Sequence, residues 1–152
     1  GALYDLNIYN LHFVMGVLGT PKEVIYRPNL GFNGIDISGT ALLDYDDYTV
    51  VCSAAKDSES ISGIVFQGEK GYMELVGAPN ACALVKVHKK GEEEILINKE
   101  KYNHRMVNEF VAFIEIFKQQ DLITCYKTLE HSLNVMKVLE QARISGKVEF
   151  NI

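Results

Sequence analysis

The sequence predicts an α+β fold: an open-faced, mostly antiparallel β-sheet with helices packed on one face. Apolar residues recur at helical spacing near the start of the chain, at strand spacing through its middle, and at helical spacing again in its last third. The connections between the middle segments have the length of hairpin turns, which favours antiparallel pairing. With 152 residues the chain has the usual size of one domain, so we expect residues 1–152 to form a single domain.

Three segments have helical spacing. The first contains Leu3, Leu11 and Val14 and is expected to end at Gly19-Thr20-Pro21. The other two, separated by residues 121–124, have apolar stripes at Met106, Phe110, Phe113, Ile114 and Phe117, and at Leu129, Leu133, Met136, Val138 and Leu139.

Seven segments have strand character, with turn residues between them. They are residues 22–27, 35–45, 48–55, 61–67, 72–76, 83–88 and 94–98, and residues 147–152 are a candidate for a short closing strand. Pro28 is expected to stop the first strand. Alternation is clearest at 35–45, where Ala41 and Leu43 are expected to face the core while Asp36 and Ser38 face away from it.

Several strands carry apolar residues on both faces, for example residues 48–55. Three helices cannot cover both sides of such a sheet. We therefore expect the second face to pack on another copy of the chain, giving a homodimer or a higher homo-oligomer.

Composition excludes several kinds of partner. A net charge of −5 argues against nucleic acid, because duplex binding needs a concentrated positive face. No apolar run is long enough to cross a bilayer, so no membrane partner is expected. Cys52, Cys82 and Cys125 are isolated, which fits buried free thiols in a reducing cytoplasm and predicts no metal site.

Asp5, Tyr9 and His12 are the candidate functional residues, because they lie on one stripe of the first helix at i, i+4 and i+7. The helix is apolar almost all round, so buried polar groups on it are expected to need partners. A phenol can exchange a proton with an alcohol or carbonyl oxygen. Near neutral pH it does so only if a nearby cation lowers its pKa from the ordinary value of about 10. A carboxylate next to it can orient a substrate hydroxyl.

The same residues also have a structural interpretation, which spacing alone favours. Asp5 can stabilise the positive N-terminus of the helix. Tyr9 can be a core aromatic residue with a satisfied hydroxyl, and His12 can be a surface histidine.

The segment Gly1-Ala2-Leu3-Tyr4-Asp5-Leu6-Asn7-Ile8-Tyr9-Asn10 resembles the motif that opens the second domain of the Gfo/Idh/MocA family, the glucose–fructose oxidoreductases and inositol dehydrogenases. That motif is glycine-rich, then has Asp, and has His or Tyr four residues later. The resemblance continues through residues 33–38, 42–45, 66–75 and 142–146, and covers nearly the whole chain. Tyr in place of His, together with Gly34-Ile35-Asp36-Ile37-Ser38, is similar to the dihydrodiol-dehydrogenase-like branch.

The resemblance implies a glyceraldehyde-3-phosphate-dehydrogenase-like C-terminal domain of a two-domain oxidoreductase. Such enzymes act on a hydroxyl or carbonyl group of a sugar, polyol or diol, and their sheet face often forms the oligomer interface. Tyr9 matches the position of the general acid/base and Asp5 that of the substrate-orienting carboxylate. His12 is a further candidate for substrate binding.

The chain also departs from the family pattern. It contains neither the nucleotide-binding fingerprint nor the Glu-Lys-Pro segment whose Lys belongs to the same catalytic group, and Asn7 stands where Gly is common. The resemblance therefore implies that NAD or NADP is held mainly by an N-terminal Rossmann domain absent from this chain, which alone should bind no cofactor and be inactive. The alternative is a non-enzymatic dimeric module that binds a ligand or a partner.

Overall fold

The computed structural model describes residues 1–98, 102, 104 and 106–149. The elements follow the predicted order: a π-helical turn Leu3–Asn7, α1 Ile8–Leu18, β1 Glu23–Leu30, β2 Asp36–Asp44, β3 Thr49–Ala55, β4 Gly63–Gly68, β5 Gly71–Val76, β6 Leu84–Lys89, β7 Ile95–Ile97, α2 Met106–Gln119 and α3 Leu122–Ser145. Every strand pairing in the described part of the chain is antiparallel. The α+β class is confirmed, but the strands form two sheets, β1-β2-β3 and β4-β5-β6-β7, whereas the sequence predicts one.

The chain divides into two compact units. The first consists of Gly1–Glu59 with Ile123–Ile152, and the second of Ser60–Leu122. In the first unit, helical residues pack on one face of β1-β2-β3, and the buried apolar cluster comprises Leu3, Leu11, Val14, Met15, Val24, Tyr26, Ala41, Leu43, Tyr45, Cys52, Val135, Val138, Leu139, Ala142 and Val148. Helices on one face of a sheet agree with the predicted architecture.

The second unit contains the four-stranded sheet and α2. Cross-strand partners give this sheet one wholly apolar face, made of Ile64, Phe66, Met73, Leu75, Val85, Val87, Ile95 and Ile97. On the other face, Tyr72 stacks on His88 and Lys86 forms an ion pair with Glu74 at 3.6 Å. This other face is mixed, because the same strand register also places on it Val65, Val76, Leu84 and Leu96.

Asp36 corrects the predicted alternation of the second strand. It was expected to face away from the core with Ser38, but its exposed fraction is 2%. The pairing of β1 with β2 shifts between Asn29 and Leu30, so Ser38 lies opposite Asn29 whereas Asp36 lies opposite Leu30. Such a bulge re-aims the side chains beyond it. The Asp36 carboxylate accepts hydrogen bonds from the Tyr26 hydroxyl at 2.9 Å and the Leu3 N–H at 2.6 Å.

Tyr26 connects β1 with the end of α3. Its backbone N–H donates to the Ser145 hydroxyl at 2.9 Å, and its ring is fully buried. Gly39 makes room for the ring, because a Cβ on that residue would lie 2.2 Å from the Tyr26 hydroxyl. Any side chain at position 39 would displace the tyrosine.

Pro28 was expected to stop the first strand, but β1 continues through it to Leu30. The reason is its place in an edge strand. The Tyr26 N–H points away from β2, and Pro28 lies two residues further along on the same side of the strand. A proline nitrogen there costs no bond to β2.

Further expectations were wrong in detail. Residues 122–124 belong to α3, whose buried side is Val135, Val138, Leu139 and Ala142, while Leu129, Leu133 and Met136 are exposed. Of the expected closing strand, residues 147–149 are not in a strand and residues 150–152 lie outside the described residues.

The three cysteines are free, as expected, but only Cys52 is buried. Burial raises the pKa of its thiol to about 12.

No helix in the described part of the chain has both the length and the apolar character that a membrane crossing requires.

Asp36→Ala should lower the free energy of unfolding by about 3 kcal/mol, because the Tyr26 hydroxyl and the Leu3 N–H lose their acceptor inside the protein. Urea denaturation measures the change. Asp47→Ala is the control, since it removes an exposed carboxylate. Equal stability losses in the two variants would contradict the structural role of Asp36.

Alkaline pH should destabilise the protein in a way that depends on Tyr26. Burial and the bond to Asp36 raise the pKa of Tyr26 above its ordinary value of 10.0. The folded state therefore holds this proton more tightly than the unfolded state, so stability is complete below pH 10 and falls as pH rises further. Tyr26→Phe should flatten this loss in denaturation measured at several pH values, whereas the exposed Tyr126→Phe should not.

Candidate functional site

The start of the helix is fixed by its contact with β2. Asp36 accepts the Leu3 N–H, one of the donors that a helix leaves unpaired in its first turn, and the helix dipole favours a carboxylate there. Gly1 lies directly against this carboxylate, because a Cβ would come within 1.6 Å of Asp36 Oδ1. A glycine before the helix is therefore a requirement of close packing.

Two asparagines attach the helix to β3. Asn7 is 1% exposed, and its Nδ2 donates to the Cys52 carbonyl at 3.0 Å. The Asn10 Nδ2 donates to Asn7 Oδ1 at 2.8 Å and to the Ser53 carbonyl at 3.2 Å. Asn7, which stands where the family motif commonly has Gly, thus contributes a buried amide group. This group fixes the position of the helix along β3.

Asp5 and Tyr9 lie on the exposed side of this helix. The Tyr9 side chain is 44% exposed and the Asp5 side chain 64%. The expectation of a helix buried all round is wrong, because the helix packs only one side on the sheet. Asp5 lies in the π-helical turn and Tyr9 in α1. Single π turns inside helices are rare and are frequent at functional sites.

Lys56 is the residue that sequence reasoning missed. It follows β3, and its ammonium forms an ion pair with Asp5 Oδ2. The hydrogen bond and charge of Lys56 lower the pKa of the Asp5 carboxyl. Asp5 is therefore ionised near neutral pH and can accept a hydrogen bond from a hydroxyl group. No local pattern links positions 5 and 56, because only the packing of the helix on β3 brings them together.

His12 is directed to α3, not to Asp5. Its Nδ1 lies 3.2 Å from Nε2 of His131, and the two rings are 5.2 Å apart between centroids. Burial, and to a lesser extent the neighbouring His131, lower the pKa of His12. The proposed stripe of three residues thus divides: Asp5 pairs with a residue after β3, and His12 pairs with α3.

Tyr4 forms another contact between the helix and α3. Its hydroxyl donates to Glu140 Oε2 at 3.0 Å, and Arg143 donates to both oxygens of Glu140 at 2.9 and 2.6 Å. These bonds lower the pKa of Glu140 to about 2, while burial and Glu140 raise the pKa of Tyr4 to about 12. Tyr4 therefore stays protonated and serves packing.

The exposed side of the helix thus presents an ionised carboxylate and a tyrosine hydroxyl one turn apart. The carboxylate can orient a hydroxyl group, and the phenol can give or take a proton at an oxygen atom. Within the described residues, no group of three His, Cys, Asp or Glu side chains is placed to hold a metal ion.

Comparison with known proteins gives several matches. No protein-family model matches the chain. It is 29% identical over 146 residues to the scyllo-inositol 2-dehydrogenase (NADP(+)) IolU of Bacillus subtilis, covering 94% of this chain and 43% of IolU. It is 32% identical over 73 residues to the uncharacterized oxidoreductase YgjR of Escherichia coli, covering 48% of this chain and 22% of YgjR.

The fold is also found among solved structures. The aldose-aldose oxidoreductase of Caulobacter crescentus matches with a TM-score of 0.75 at 15% identity, over 97% of this chain and 45% of that protein. The chain therefore spans less than half the length of each of these relatives. Sequence similarity and fold agree with the motifs of the opening helix and support a C-terminal domain of the Gfo/Idh/MocA family of oxidoreductases.

Proposed function

We propose that this chain is the substrate-binding and dimerisation domain of a nicotinamide-dependent oxidoreductase that acts on a hydroxyl or carbonyl group of a sugar, polyol or diol. The observation that carries the proposal is the exposed pair Asp5 and Tyr9 on the helix that opens the domain. The relative IolU is a scyllo-inositol 2-dehydrogenase, which supports the substrate class.

Tyr9 is the proposed general acid/base. Its hydroxyl has no hydrogen-bond partner among the described residues, so it is free to meet an oxygen atom of a bound molecule. In the oxidative direction its deprotonated form takes the proton of the substrate hydroxyl and becomes a phenol, and in the reductive direction the phenol returns that proton to the carbonyl oxygen.

Asp5 is the proposed orienting residue. Because Lys56 lowers the pKa of its carboxyl, Asp5 remains an acceptor rather than a proton donor near neutral pH. A hydrogen bond to Asp5 from a non-reacting hydroxyl of the substrate would fix the reacting carbon relative to Tyr9, which takes the proton of the reacting hydroxyl. His12, turned toward His131, would take part only through a substrate group that reaches α3.

An exposed phenol and an ionised carboxylate fit an alcohol undergoing oxidation, because the carboxylate accepts a hydrogen bond from a hydroxyl group and the phenol group exchanges a proton with an oxygen atom. The cofactor, NAD or NADP held mainly by an N-terminal Rossmann domain, would accept or give the hydride. The residues of this chain would bind and orient the substrate and move its hydroxyl proton. Free cysteines support a cytoplasmic location for such an enzyme.

The uncovered face of β1-β2-β3, termed the open face below, is the proposed dimer interface. Strand register arranges it in three rows. The first is termed the acidic row because two of its members, Glu23 and Asp44, carry carboxylates, and Thr49 completes it. The second is the apolar row Ile25, Leu42 and Val51, and the third consists of Arg27, Thr40 and Ser53. A two-fold axis through the apolar row would place Arg27 of each copy opposite the acidic row of the other. Such self-complementarity suits an isologous dimer.

Tyr9→Phe in the complete protein should lower kcat for polyol oxidation by about 10² to 10⁴-fold with little change in KM, because only the proton transfer is lost. Steady-state rates with NAD or NADP and a panel including scyllo-inositol measure this. Tyr48→Phe is the matched control, since Tyr48 is 46% exposed and Tyr9 is 44% exposed.

Two results would contradict the enzymatic proposal. One is a complete protein that oxidises none of the polyols and reduces none of the corresponding carbonyl compounds, which would favour the non-enzymatic dimeric module. The other is a Tyr9→Phe variant with the turnover of the wild type, which would remove Tyr9 from the mechanism.

Leu42→Glu should convert the dimer to a monomer in sedimentation experiments, because two carboxylates would meet near the two-fold axis and like charges there cost several kcal/mol. Arg27→Glu should weaken the dimer, and adding Glu23→Arg should restore it. Val17→Glu is the control, since Val17 is an exposed apolar residue on α1. A wild-type monomer, or a Leu42→Glu dimer as tight as the wild type, would contradict the interface.

A further inference from the structure

Lys56 occupies a defined position beside the candidate site. It directly follows β3, and its backbone N–H donates to the Ile37 carbonyl at 2.8 Å. Its side chain is 42% exposed and ends at the Asp5 carboxylate. The main chain of Lys56 is thus hydrogen-bonded to β2, and only its side chain extends to the helix.

The helix that carries Asp5 is held on the same strand. Asn7 binds the Cys52 carbonyl and Asn10 binds the Ser53 carbonyl, at 3.0 and 3.2 Å. The ion pair of Lys56 with Asp5 therefore adds a third contact between the helix and the segment formed by β3 and the residue that follows it. An exposed ion pair on freely moving chains contributes little, but here both backbones are fixed by other bonds.

The ion pair engages only one of the two carboxylate oxygens of Asp5. Oδ2 accepts from Lys56, and Oδ1 has no hydrogen-bond partner among the described residues. One oxygen is consequently held by Lys56, and the other is left for a further hydrogen bond on a side chain that is 64% exposed. A carboxylate fixed in this way presents one acceptor in a constant direction.

We propose that Lys56 is a positioning residue for the reaction, which holds Asp5 so that its free oxygen accepts a hydrogen bond from a non-reacting hydroxyl of the substrate. The assignment rests on the proposed function. Lys56 acts through Asp5 and does not itself exchange a proton with the substrate. The substrate is the hydroxyl compound already proposed. Lys56 contributes by orienting that compound, through Asp5, before the proton is transferred to Tyr9.

The test compares Lys56→Met, Lys56→Arg and Lys22→Met in the complete protein. Lys22→Met is the matched control, because Lys22 forms an exposed ion pair with Asp46 elsewhere in the same unit. Lys56→Met should raise KM for the polyol about tenfold or more, since misplaced orienting groups weaken productive binding. Lys56→Arg should recover most of the loss, and Lys22→Met should behave as the wild type.

A pH profile of kcat/KM separates positioning from a purely structural role. Lys56 lowers the pKa of Asp5, so its removal should raise that pKa and move the acidic limb of the profile to higher pH. A change in folding stability alone would not move this limb. The acidic limb should return toward the wild-type position in Lys56→Arg, which keeps the charge.

The outcomes separate the two proposals. An active wild type that depends on Tyr9, combined with a Lys56→Met variant of unchanged KM and unchanged acidic limb, overturns the role of Lys56 alone. Equal effects of Lys56→Met and Lys22→Met also overturn it. A wild type that is inactive on every polyol and carbonyl compound overturns the proposed function, and the role of Lys56 with it.

Discussion

The Asp36 carboxylate accepts hydrogen bonds from the Tyr26 hydroxyl on β1 and from the Leu3 N–H in the first helical turn. A carboxylate removed from water is costly unless such bonds compensate it. The two bonds specify one arrangement, in which the helix begins next to β2 with Gly1 against the carboxylate. Since Asp5 follows Leu3 within the same turn, the place of the candidate site depends on this buried group.

Contacts on two sides then determine where the polar residues of the helix lie. Toward β3, Asn7 and Asn10 bind strand carbonyls. Toward α3, Tyr4 binds Glu140 and His12 meets His131. The remaining side is exposed, and it carries Asp5 and Tyr9. The pair is therefore available for a ligand because the other polar side chains already have partners within the protein.

Local signals in the sequence were sufficient to predict the order and type of the elements through α3, but not the absence of a strand at residues 147–149. Alternation and turn residues located the strands, and Gly19-Thr20-Pro21 correctly marked the end of α1. The burial of Asp36 was not predictable from alternation, because a bulge between β1 and β2 reverses the side on which it lies. The prediction that Pro28 stops the first strand was wrong because a strand tolerates proline at the edge of a sheet. Which strand lies at the edge is a property of the assembled sheet.

The candidate site was predictable only in part, for a related reason. Asp5 and Tyr9 lie one turn apart, so their shared side follows from helical geometry. Their exposure does not, since composition made the whole helix resemble a buried one. Lys56 lies far from both in sequence, and its role follows from the packing of the helix on β3. Contacts of that kind depend on tertiary structure and leave no periodic signal.

β3 takes part in both proposed activities of the first unit. The carbonyls of Cys52 and Ser53 hold the helix, and Lys56 pairs with Asp5, whereas the Val51 side chain belongs to the open face. Because side chains alternate along a strand, one strand can face the core and the open face at once. A one-residue slip of β3 against β2 would exchange the two sets and carry Lys56 away from Asp5. The register that pairs Cys52 with Ala41 therefore links the geometry of the candidate site to the composition of the open face.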